Sequence, residues 1–178
     1  MRVIAGAARG VPLISPEGRD LRPTLDRVRE NLFNILQPWF PGPKFLDLFS
    51  GTGANGIEAL SRGAAAAVFV DSDRAAQSLT RGNLEKTRLA SNATCLQLAL
   101  PDELHRIPGT FNIIFADPPY AFEGVTELPA SIADQGLLDD EGILIIEHSR
   151  KITLPETAAH LSQFRYKKYG DTGLTFYT

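Results

Sequence analysis

"LDLFSGTGANG", residues 46–56, runs from strand-forming apolar residues straight into a turn carrying three glycines. Gly51, Gly53 and Gly56 satisfy the pattern G-x-G-x-x-G, and Asp71 closes the next apolar run 20 residues after Gly51. A strand, a glycine turn, a helix and an acid at the end of the following strand form a nucleoside-binding crossover. The bare turn lets backbone amides approach the ligand, and the acid takes the ribose hydroxyls. Asp73 could compete for the ribose, but it reads as the cap of the helix that follows, so Asp71 is favoured.

Further short apolar runs follow the same rhythm: "AAVFVD" (66–71), "TCLQL" (94–98), "NIIFAD" (112–117) and "GILIIE" (142–147), with "KFLDLF" (44–49) the first. Continuous Val, Ile, Leu and Phe mark parallel strands covered on both faces. Helical stretches lie between them at 55–63, at 73–88 and at 124–138, where Pro129 should break or restart the helix. Alternation of this kind predicts an α/β doubly wound sheet with right-handed crossovers. The ends fall outside it. "RVIA" and "VPLI" around "GAARG" predict an N-terminal hairpin, followed by a helix from about Thr24 whose apolar side carries Val28, Leu32, Phe33, Ile35 and Leu36. "FRYKKYGDTGLTFYT" (164–178) predicts a C-terminal antiparallel hairpin. The chain reads as a single domain, 1–178, with an N-terminal extension (1–40) on a core (44–178).

The 178 residues, 43% hydrophobic and 22% charged, suit one well-packed domain. No stretch has the length of a secretory h-region or a bilayer span, so a cytoplasmic location and no membrane partner are expected. One cysteine, Cys95, excludes an internal disulfide and reads as a structural thiol; three scattered histidines argue against a metal site. Charge is uneven. Residues 1–30 carry six arginines against four acids and residues 150–178 five basic groups against two, within a net charge of −3. Basic ends around an acidic middle could grip phosphates locally, or be no more than a solvated surface.

Two enzyme classes share the glycine turn. A dehydrogenase would place a pyrophosphate there, which Asp47 inside the first strand would repel. The same acid suits a ligand bearing an ammonium and a positive sulfonium, which points to S-adenosylmethionine. The second chemical motif is "DPPY", Asp117 to Tyr120. An exocyclic base amine is a poor nucleophile, so acceptors must hold its hydrogens while nitrogen attacks the methyl group. Asp117 can accept one and the carbonyls of Pro118 and Pro119, left facing outward, another, while Tyr120 offers a face for an extruded base. Asp117 acts either as a base or as an acceptor only.

With "RVIAGAARG", "LRPTLDRVRENLFNIL", "LDLFSGTGANGIEALSRGA", "FADPPY" and "YGDTGL" in this order, the chain resembles the RsmD family of class I S-adenosylmethionine-dependent methyltransferases over essentially its whole length. That resemblance implies a Rossmann-like, seven-stranded, mostly parallel sheet and methylation of the exocyclic N2 of a guanine in small-subunit ribosomal RNA, within an assembled or assembling subunit. It implies that Asp117, Pro118 and Tyr120 carry the transfer. Asp47, Gly51, Gly53, Asp71, Arg22 and Thr24 would hold the cofactor, with Thr24 serving its carboxylate or capping the helix. Arg2, Arg9 and Arg27 or Arg29 are phosphate contacts or plain surface arginines. The polar residue expected beside the adenine is replaced here by Leu98, Ala99 and Leu100, leaving backbone groups or Gln97 for that contact. The rival readings are a DNA adenine-N6 methyltransferase, which commonly needs an added recognition domain, a protein-amide methyltransferase, which favours asparagine at position 117, and a cofactor-binding protein without catalysis.

Overall fold

The apolar runs form the centre of one sheet in a computed structural model, which describes residues 1–16 and 23–178. Its strands are β1 (Lys44–Leu48), β2 (Ala66–Asp71), β3 (Ala93–Gln97), β4 (Phe111–Ala116), β5 (Leu138–Ser149), β6 (Thr157–Ala158), β7 (Leu161–Tyr169) and β8 (Thr172–Tyr177). Their order is β3-β2-β1-β4-β5-β8-β7-β6; β1 to β5 pair in parallel, and β8, β7 and β6 continue antiparallel. The eighth strand beyond the expected seven is the two-residue β6 at the edge, too short to show any periodicity.

The winding direction reverses between β1 and β4. Ligands of open α/β sheets sit outside the carboxyl ends of the strands at such a switch point. The glycine turn leaves β1 and the Asp117 segment leaves β4, so the two chemical motifs flank one crevice.

Among the described residues four α-helices cover the sheet: α1 (Pro23–Ile35), α2 (Ala54–Ser61), α3 (Arg74–Thr87) and α4 (Leu128–Asp134). On one face Leu32, Phe33 and Ile57 from α1 and α2 pack with Phe45, Phe69, Phe115 and Phe176; on the other Leu128 and Ile132 of α4 pack with Leu46, Ile114, Leu144 and Tyr177. Asp73 caps α3 by accepting the Ala75 amide at 2.9 Å. Helix α4 is shorter than the expected 124–138 because Pro129 falls in its first turn, the one place where a missing N–H costs nothing. Gly56 faces the ring of Phe69, where an added Cβ would lie 2.3 Å from Cε1, so it serves close packing of α2 on the sheet.

The N-terminal hairpin has a single bridge, Arg2 with Pro12, supported by the Val3 amide on the Val11 carbonyl and the Leu13 amide on the Met1 carbonyl. It does not extend into a ladder because the amides of Ile4, Ala5, Ala7 and Ala8 go to α2. Ile4 and Ala5 donate to the Glu58 carboxylate at 2.8 and 3.0 Å, and Ala8 donates to Ser61 Oγ at 2.9 Å. Glu58 is wholly buried and is also bridged by Arg62 at 2.7 Å. Sequence periodicity gives no warning of this clamp, because an acid in "GIEAL" looks like an ordinary solvent-facing helix residue.

Candidate active site

The glycine turn is held from below and above. Gly51 and Gly53 have φ of +55° and +74°, values that favour glycine, and a Cβ on Gly51 would meet open space. The Gly51 amide donates to Asp71 Oδ2 at 2.9 Å, and the Asp73 amide donates to Asp71 Oδ1 at 2.9 Å. Each carboxylate oxygen keeps a second lone pair for a ribose hydroxyl. From the α3 side, Thr80 Oγ1 donates to the Gly51 carbonyl at 3.1 Å and Asn83 Nδ2 to the Thr52 carbonyl at 2.9 Å. With both side chains fully buried, they hold the turn's carbonyls inward, while the Gly53 amide closes the turn on the Ser50 carbonyl at 2.7 Å. The sequence did carry a signal for them: Gln77, Thr80, Asn83 and Thr87 put a polar stripe where an amphipathic helix should be apolar.

Asp47 lies beneath the turn, 2% exposed, with Oδ2 accepting the Gly56 amide at 2.9 Å. Burial pushes its carboxyl up to about 8; the Gly56 hydrogen bond opposes this, and Asp117 and Asp71 add to it. A cation in the crevice would relieve that cost. The open space over Gly51, the Asp71 carboxylate beside it and this acidic floor therefore fit a nucleoside that carries positive charge.

On the far side of the switch point, Asp117 is exposed at the end of β4, with its amide on the Leu48 carbonyl at 3.3 Å. It is a carboxylate at the rim of a cleft. That cleft is open to solvent and is lined by Asp117, Pro118, Tyr120, Phe122, Glu147 and Ile152, among others. Tyr120 is 77% exposed, its ring available to a planar ligand. Pro118 is buried. The Pro119 carbonyl accepts the Phe122 amide at 2.8 Å, which closes a turn and removes that carbonyl from the candidate acceptors. Only the Pro118 carbonyl keeps the role first given to both.

Phe49 joins the two halves. It follows β1 with φ of +59°, a strained conformation for a residue with a side chain, and its ring lies 5.5 Å from that of Phe122. The glycine turn is thereby packed against the loop that carries Tyr120. Glu147, which follows the last residue of β5 paired with β4, was not foreseen as a site residue because "GILIIE" reads as a buried strand stopping at a surface acid.

The arginines divide. Arg2, Arg9 and Arg27 are exposed. Arg29 is 5% exposed; it donates to Asp26 Oδ1 at 2.9 Å and to the Arg2 carbonyl at 2.6 Å, with Glu58 4.0 Å away. Burial lowers its pKa against the opposing pull of Glu58 and Asp26. This corrects the expected phosphate contact: the Arg29 guanidinium fastens the hairpin to α1 and α2. Arg22 lies outside the described residues. Thr24 stands in the first turn of α1, which Pro23 opens, and its side chain lies outside the described residues. Gln97 is tied to the Ser72 carbonyl at 3.2 Å, beside the buried Leu98. Among the described residues no cluster of His, Cys, Asp or Glu is placed to hold a metal ion, and no helix is long and apolar enough to cross a membrane.

A family profile described as "Conserved hypothetical protein 95" matches residues 1–178. The chain is 38% identical over 177 residues to ribosomal RNA small subunit methyltransferase D of Escherichia coli (strain K12), covering 99% of this chain and 89% of that protein. Among solved structures, yhhF from Escherichia coli superposes with a TM-score of 0.88 at 38% identity, covering 99% of this chain and 96% of the other. A hypothetical protein of Thermus thermophilus superposes with a TM-score of 0.83 at 31% identity over 99% and 98% of the two chains. The chain belongs to the family of ribosomal RNA small subunit methyltransferase D, and its fold is that of a class I methyltransferase.

Proposed function

We propose that this protein transfers a methyl group from S-adenosylmethionine to the exocyclic N2 of a guanine in small-subunit ribosomal RNA. The observation that carries the proposal is the pairing, across one switch point, of a cation-seeking nucleoside crevice with a carboxylate-and-tyrosine cleft. The relationship to ribosomal RNA small subunit methyltransferase D supports the substrate class.

S-adenosylmethionine, when bound, supplies an electrophilic methyl group on a positive sulfur. Gly51 and Gly53 would lie against its amino-acid part, Asp47 would balance its positive charge and Asp71 would hold the ribose. Tyr120 stacks on the extruded base, an interaction worth roughly 1–3 kcal/mol. Asp117 and the Pro118 carbonyl accept the two N2 hydrogens, which orients the nitrogen lone pair toward the methyl carbon. Methyl transfer would break the donor's C–S bond, with its electron pair left on the departing sulfur, and N2 would then have one proton to lose, which Asp117 or water would accept.

Exposed Arg2, Arg9 and Arg27 supply charge for phosphates next to the target. A separate open groove between α1 and β7, lined by Asn31, Asn34, Gln37, Arg165, Lys167 and Tyr169, offers a second polar and basic surface for a folded RNA. A shaped target of that kind suits an assembled or assembling subunit. The test is to incubate the protein with labelled S-adenosylmethionine and small subunits lacking the modification, then map the label. Label on N2 of one guanine is expected; label on DNA or on ribosomal protein instead would overturn the reading.

A further inference from the structure

The register of β4 and β5 pairs Ala116 with Ile146, which makes Asp117 and Glu147 the next pair on neighbouring parallel strands. Side chains at paired positions of a parallel ladder point to the same face, with strands about 4.8 Å apart. Both residues line the cleft beside Tyr120. Glu147 is partly buried, yet no hydrogen bond or ion pair to its carboxyl group is formed among the described residues. The next residue, His148, is fully engaged, with Nε2 on Thr175 Oγ1 at 2.8 Å and Nδ1 on the Ser149 carbonyl at 2.9 Å. Burial, then the charge of Asp117, hold the Glu147 carboxyl well above the usual range. A half-buried acid without a partner costs free energy, and in this position it faces the space the target base would fill.

Guanine carries the N1 hydrogen and the N2 amino group side by side on one edge. Adenine and cytosine instead place a ring acceptor beside their amino group. We propose that Glu147 is a specificity-determining residue that accepts the N1 hydrogen of the guanine whose N2 amino group is held by Asp117. This rests on the guanine-N2 reading given above. Two acceptors side by side where β4 and β5 part match two adjacent donors, and both protonation states of a carboxyl group retain an acceptor oxygen.

The test uses small subunits carrying guanine or 2-aminopurine at the mapped position. 2-Aminopurine keeps the N2 amino group and lacks the N1 hydrogen. For the unaltered protein, kcat/KM should be about 10- to 100-fold higher on guanine, the span of one hydrogen bond to a charged or buried group. Glu147→Ala should lose most of that preference by slowing guanine while leaving 2-aminopurine within about 2-fold and binding of the methyl donor intact; Glu147→Gln, which keeps an acceptor oxygen, should restore much of it. Equal losses on both bases, or a guanine preference that survives in Glu147→Ala, overturn this inference alone. Absence of methylation on either base by the unaltered protein overturns the guanine reading and this inference with it.

Discussion

Asp71 Oδ2 accepts the Gly51 amide at 2.9 Å, so the acid at the end of β2 shapes the turn at the end of β1 as well as facing the crevice. Asp71→Ala should therefore weaken binding of S-adenosylmethionine by about 10- to 100-fold, through loss of charged hydrogen bonds to both ligand and turn. Asp71→Asn keeps one acceptor oxygen and should lose less. Titration calorimetry with S-adenosylhomocysteine reads both variants, and unchanged affinity in Asp71→Ala would remove the assigned role.

Asp117 stands at the rim of the cleft, across the switch point from the turn. Asp117→Ala should reduce methyl transfer by roughly 100-fold or more, the usual scale for removing a group that acts in the transition state. Affinity for S-adenosylhomocysteine should stay close to that of the unaltered protein. Single-turnover rates measured beside binding separate the two effects; retention of most activity would exclude the proposed acceptor.

Glu58 is a structural anchor. With the Ile4 and Ala5 amides and Arg62 on one carboxylate, Glu58→Ala should orphan two amides and strip a counter-charge from the buried Arg29. Breaking a buried charge network costs about 3–5 kcal/mol. For a chain of this size that corresponds to a Tm lower by roughly 6–20 °C. Hydrogen exchange should show the first residues opening ahead of the sheet.

Asp47 gives the free protein a pH dependence. Its folded pKa of about 8 lies above the ordinary aspartate value. Between roughly pH 4 and that value the folded state binds the extra proton, so this group's contribution to stability falls as pH rises through the window. Asp47→Asn should raise Tm at pH 8 more than at pH 5. Binding of a cationic methyl donor near neutral pH should release protons from the unaltered protein and fewer from the variant. Calorimetry in buffers of different ionisation enthalpy measures that release.

Much of the framework was legible in local pattern. Unbroken apolar runs such as "AAVFVD" and "GILIIE" can be buried only on both faces, which demands a parallel sheet. The glycine turn, Asp71 and the Asp117 tetrapeptide each announced themselves by residue types with few other uses. Boundaries moved where a single residue had two readings. Pro129 was expected to break or restart a helix, and it stands in the first turn of α4, so the helix starts beside it; the N-terminal hairpin stopped at one bridge because several of its amides found Glu58 and Ser61.

Neighbour relations were decided only by the tertiary structure. That Asp117 lies beside Glu147, that Thr80 and Asn83 brace the glycine turn, and that Arg29 is buried on the hairpin all depend on strand register and on which helix face meets which loop. The physical reason is one of range. Apolar periodicity and turn chemistry act over a few residues and select elements, whereas an ionisable group on an element's surface looks the same in sequence whether it meets water, a ligand or a partner brought from far along the chain.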